Sequence, residues 1–239
     1  VFQSIYDSAW HHPIAAWAAG VLTLMVLAVG VRRDALRPIA ALLALEIMLD
    51  AYCTGALTPL QTGAPLTTGL ALVFVVVGDW RFFFLVERAR PPRGILKRPG
   101  AAQAAMSALG LALIVPLLTL VGRVALPSLL SSDRVMFLAY ELTILPVVAF
   151  VTWRARRWLR PGAARTFLLR LCAYEAGLYA LWALGDVIIL VAGDVGFLPR
   201  LLANLMYYAG FVPFVVAAAP SEEGRPPGGA LPAEEAEAA

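Results

Sequence analysis

Charge is scarce in this chain. Only 15% of its 239 residues are Asp, Glu, Lys or Arg, whereas 61% are hydrophobic. A water-facing globule of this length could not hide so much apolar side chain, so hydrocarbon must act as solvent for much of it. Histidine is confined to His11 and His12, which are adjacent, with no third histidine and no HExxH pattern. That shortage weakens the case for zinc, leaves a hard cation open and offers no convincing Ser-His-Asp set. Cys53 and Cys172 lie far apart inside apolar stretches and make no CxxC pair, which excludes a disulfide framework and a thiolate metal centre. Lysine occurs once, at Lys97, so the +3 formal charge is carried by arginine. In a soluble protein a pI near 9.1 would suggest nucleic acid; here the basic residues mark a membrane face, and no nucleic-acid partner is expected.

What the chain does have is long apolar runs. Seven of them fall at 14–31, 38–57, 67–86, 102–121, 135–151, 167–191 and 201–219. Each approaches the roughly 20 residues that a helix rising 1.5 Å per residue needs to cross a core of about 30 Å. Backbone amides in hydrocarbon must bond within their own segment, and the alternation of a barrel strand is missing. The expected fold is therefore an all-α membrane protein, a seven-transmembrane helical bundle occupying residues 1–219. Arginine alternates between connectors: those at 31–37, 87–98 and 153–165 hold most of it, and those at 55–65, 121–134 and 191–200 hold almost none. The positive-inside rule then places the N-terminus outside and the C-terminus in the cytoplasm of a multi-pass inner-membrane protein, with arginine-rich composition suiting a bacterial source.

Residues 220–239 (PSEEGRPPGGALPAEEAEAA) have no apolar periodicity and are expected to form a disordered cytoplasmic tail. The chain begins at Val1 rather than Met, without a basic region or cleavage site around its first apolar run, so that run is expected to be retained. The fourth run, rich in alanine and free of charge, reads as a peripheral helix facing lipid.

Ionisable groups inside the runs carry the functional signal, since each costs about 2.5–3.5 kcal/mol near a helix centre on insertion scales. Six are acids: Glu46, Asp50, Asp79, Glu141, Glu175 and Asp186. Counted from the assigned ends, Glu46, Asp79 and Glu175 all lie about 12 Å deep, with Arg81 close by as counter-charge. These four residues are the expected inner site for a cation or proton. Asp50 lies one turn from Glu46 on the same face, and Asn204 and Tyr208 are likewise four apart. With Glu141 they are expected to line a polar approach from outside.

Asp79-Trp80 resembles the Asp-Trp pair of the microbial rhodopsins, and Asn204-Leu-Met-Tyr-Tyr208-Ala-Gly-Phe211 is similar to their retinal-attachment segment. Tyr208 stands where that family's lysine would be, and a tyrosine cannot form the Schiff base. The resemblance implies a shared topology and no retinal; no cofactor is expected. The leading functional expectation is a protein that binds or transports a small solute or cation, coupled to protons through these carboxylates. Two alternatives stay open: an intramembrane enzyme acting on a lipid, and a non-catalytic sensory or assembly subunit. Besides the bilayer and the solute, a membrane-protein partner or a second copy of the chain remains open.

Overall fold

The computed structural model describes residues 1–29, 37–60, 65–89, 100–130 and 132–219. The expected tail at 220–239 and most of the connectors at 31–37 and 87–98 lie outside the described residues. Among those described, the regular structure is helix throughout: α1 (Phe2–Tyr6), α2 (Ala15–Val29), α3 (Arg37–Thr54), α4 (Pro65–Ala89), α5 (Ala101–Ala125), α6 (Asp133–Trp158), α7 (Ala163–Ala192), α8 (Phe197–Asn204) and α9 (Phe211–Ala218). A kink at His12, within Trp10–Ile14, leads into α2, and a wide π turn at Leu205–Gly210 joins α8 to α9.

Among the described residues, five helical stretches are long and apolar enough to cross a membrane: Trp10–Ala28, Gly69–Ala89, Ala101–Ala125, Asp133–Trp158 and Ala163–Ala218. The last is not one rod. Gly193, at φ 69°, takes the left-handed conformation that ends α7, and a 3-10 turn at Gly193–Gly196 sends the chain back along it. The turn is tight: a Cβ on Gly196 would lie 2.6 Å from the Gly185 carbonyl oxygen, so only glycine admits the two backbones here. Gly196→Ala is expected to destabilise the α7–α8 hairpin by about 1–3 kcal/mol, the usual cost of overpacking against unyielding backbone. A thermal melt of the detergent-solubilised protein measures it. The remaining helix, α3, has 18 residues and carries Arg37, Glu46 and Asp50, too much charge to count as a span by composition alone.

Several helices outrun the apolar segments expected from sequence. α6 continues to Trp158 because Arg154 stacks over the Trp158 ring at 3.1 Å and Arg157 over Trp153 at 4.4 Å. Aliphatic stems and ring faces let the helix persist while the charged heads reach polar surroundings. At its start, the Ser132 hydroxyl accepts from the Val135 amide at 3.2 Å and Asp133 faces the positive helix end. α5 buries its stripe of Ala104, Ala108 and Ala112 and leaves Met106, Leu113, Leu117 and Val121 exposed. Trp80 of α4 donates to the Ala105 carbonyl at 2.9 Å, an approach that small side chains permit. The core proper lies between α3, α4, α6, α7 and α9, around Leu43, Ile47, Phe83, Ile144, Leu171 and Phe211. Polar residues interrupt it, and these build the site.

Candidate functional site

The bundle encloses a cavity of about 620 Å³. It reaches the surface beside exposed Asp7 and Ala56, and α1 sits over that end. The backbone amides of Phe2 and Gln3 donate to the Asp194 carboxylate at 3.1 and 2.9 Å, and the Tyr6 ring packs 5.3 Å from Phe197. Six rings follow one another along the cavity: Tyr140, Tyr179, Trp182, Tyr207, Tyr208 and His12, with successive centroids 6.0, 5.4, 5.3, 4.6 and 4.3 Å apart.

Local sequence explains how the rings gather. Tyr179 and Trp182 are three apart on one face of α7. Tyr207 and Tyr208 are neighbours, which a regular α-helix would splay, but they lie in the π turn, where an extra residue shifts the register. The turn frees the Met206 carbonyl, which accepts from the Tyr174 hydroxyl at 2.7 Å. Gly78 lets the bundle close on Tyr207: a Cβ there would meet ring carbon Cε2 at 3.0 Å.

The predicted site residues divide into two groups. Asp50, Glu141, Asn204 and Tyr208 line the cavity; Glu46, Asp79, Arg81 and Glu175 do not. Asp79 lies behind the cavity wall, 3% exposed, where the Tyr140 hydroxyl donates to Oδ2 at 2.5 Å and the Tyr179 hydroxyl donates to Oδ1. Arg81, 1% exposed, places Nη1 3.1 Å from Glu46 Oε2, though no hydrogen bond aligns with that contact. Its guanidinium also lies 4.2 Å from the Tyr207 ring centre and 4.7 Å from that of Phe211. Glu175 is buried within electrostatic reach of both Arg81 and Asp79. The three deep carboxylates thus share a neighbourhood, but each of the first two has its own partner: a guanidinium for Glu46, two phenols for Asp79.

Removing one phenol hydroxyl tests that arrangement. Tyr140→Phe and Tyr179→Phe should each cost about 1–2 kcal/mol, and the double variant more than their sum, because Asp79 would then be buried without a donor. Unfolding titrations of the three proteins in mixed micelles measure this.

Sequence reasoning missed the charges that hold the other end of the site. Asp186 is fully buried and held by two arginines, with Arg134 Nη1 at 2.7 Å and Arg200 Nη1 closer still. Arg200 also lies 3.6 Å from Glu141. Both bases belong to connector-proximal turns, and only the fold returns them to the interior. Tyr179 and Trp182 escaped notice for a different reason: aromatic residues are ordinary in an apolar run. Their spacing from Glu175, four and seven along one helix face, was the available signal. Trp182 donates its indole N–H to Asn204 Oδ1 at 2.9 Å, tying α7 to α8.

Among the described residues, no three His, Cys, Asp or Glu side chains converge as metal ligands. Helices of membrane length and a polar cavity inside an apolar bundle define the class: an all-helical membrane protein with an internal cavity. Compared with family models, curated proteins and solved structures, the chain matches none.

Proposed function

We propose that this chain is a seven-span inner-membrane protein, amino terminus outside and carboxyl terminus in the cytoplasm, that binds or moves a small solute or cation with protons carried by its buried acids. Counting α3 and both arms of the Ala163–Ala218 hairpin beside the other four apolar stretches supports seven crossings. The orientation rests on the alternation of arginine between connectors. In a cysteine-free background, a cysteine at Val195 should react with an impermeant maleimide in intact cells, and one at Gly162 only after the membrane is broken. The opposite pattern would invert the orientation.

The observation that carries the functional reading is the cavity itself. It has the size of a small-molecule site, and its walls mix aromatic rings with carboxylates of α3 and α6. Behind the wall, Asp79 and the Arg81–Glu46 pair offer groups whose protonation is coupled to the cavity through Tyr140, Tyr179 and Tyr207. Purified protein in liposomes loaded with a pH-sensitive dye should respond to an inward gradient of at least one of sodium, potassium, amino-acid or amine salts. Glu46→Gln combined with Asp79→Asn should abolish that response. A wild-type protein silent to the whole panel, or a double variant that moves protons unchanged, would reject the reading.

A further inference from the structure

The side chains around the cavity narrow the class of solute, an inference that rests on the cavity being a solute site. Its walls touch the acids Asp7, Asp50 and Glu141 and the base Arg200. Arg200 is committed to Asp186 and lies beside Glu141, so these charges balance one another. Asp7 is exposed at the mouth. Asp50 differs from both. It is 2% exposed, and its carboxylate accepts from the Thr54 hydroxyl at 3.0 Å. Among the described residues no arginine is in ion-pair contact with it; Arg81 lies within electrostatic reach but is paired with Glu46. A carboxylate facing a cavity, bonded to a hydroxyl and held in no ion pair, is placed to accept a cation from that cavity.

The surroundings of Asp50 say which kind of cation. A bare metal ion needs about six oxygen ligands at roughly 2.0–2.6 Å, replacing its water shell. Ring faces cannot supply those, the phenol oxygens of Tyr140 and Tyr179 are bonded to Asp79, and this cavity is far larger than such an ion. An organic ammonium is weakly hydrated, fills space, and gains from lying against aromatic faces. The series of rings includes Tyr207 and Tyr208, both within electrostatic reach of Asp50. We propose that the cavity binds a small organic cation, a protonated amine or quaternary ammonium, with Asp50 as its counter-charge and Tyr179, Trp182, Tyr207 and Tyr208 as its aromatic enclosure.

Calorimetric titration of the full chain in lipid nanodiscs tests this, with choline and tetraethylammonium as probes. Sodium and potassium at equal ionic strength, sorbitol and benzoate serve as comparisons. Saturable heat is expected with an ammonium probe and none with the metal ions. Asp50→Asn should weaken that binding at least about tenfold, the scale of a lost charge-assisted contact, and Asp50→Glu should keep part of it. Trp182→Leu should weaken it by about three- to tenfold through the lost ring; this variant serves if Asp50→Asn fails to fold. Ammonium binding unchanged in Asp50→Asn or in Trp182→Leu overturns the proposal. Binding of sorbitol or benzoate alone overturns the cationic assignment while leaving the cavity a solute site. No binding by any probe overturns the ammonium proposal, and the liposome measurement then decides separately whether a solute is moved.

Discussion

Arg81→Met is expected to cost about 3–5 kcal/mol of stability, the range seen when one member of a buried ion pair is removed and the other stays charged. Arg81 is among the largest fully buried side chains described, and three elements meet on it: Glu46 of α3, Tyr207 in the π turn and Phe211 of α9. Nε and Nη1 have no hydrogen-bond partner, so at those two nitrogens Coulomb attraction and ring faces do the holding. Arg81→Lys should therefore recover little. A compact ammonium keeps the charge but loses the flat surface that both rings contact. The informative partner change is Glu46→Gln. Alone it strands a buried guanidinium and should destabilise; combined with Arg81→Met it leaves no buried charge and should return much of the loss. Unfolding of the four proteins by denaturing detergent forms a double-mutant cycle, and a coupling below about 0.5 kcal/mol would show that the contact is energetically idle.

Asp186→Ala has the second large effect, again about 3–5 kcal/mol, at the other end of the bundle. This carboxylate is the junction between Arg134 at the start of α6, its own helix α7, and Arg200 on α8. Without it two guanidiniums are left facing each other. Asp186→Asn keeps an acceptor oxygen and should cost less. Arg134→Ala should cost least, because that side chain is one-third exposed and Arg200 remains in place. The order Asp186→Ala, Asp186→Asn, Arg134→Ala is checked by thermal melts in one detergent. Freed from Asp186, Arg200 is expected to add positive charge to the cavity wall. Asp186→Ala should then also weaken ammonium binding, which separates an electrostatic consequence from simple unfolding when both are measured below the melting temperature.

Both predictions concern contacts between distant segments, and that is where sequence reasoning thinned out. The helices themselves were legible, because an apolar run of membrane length must satisfy its backbone bonds locally and has few alternatives. Same-face relations were legible too: Glu46 with Asp50, Asn204 with Tyr208. The partner of each acid was not. Asp79 receives its phenols from positions 61 and 100 residues away, and Arg134 reaches Asp186 across 52. A depth estimate put Glu46, Asp79 and Glu175 on one level, but depth says nothing about azimuth. The helices turn Glu46 toward Arg81 and Asp79 toward Tyr140 and Tyr179. The π turn at Leu205–Gly210 was invisible as well, since local apolar periodicity does not mark one extra residue in a turn.

Composition and the length of the apolar runs thus determined the membrane character, the helical class and the short list of costly buried charges, because transfer free energy and helix geometry act residue by residue. Tertiary structure alone decided that Glu46 belongs to Arg81, that Asp186 holds Arg134 and Arg200, and that Asp50 faces a ring-lined cavity with no arginine, among the described residues, in ion-pair contact with it. Pairing depends on how helices are rotated against one another, and rotation is set by packing of whole faces rather than by any local run of residues.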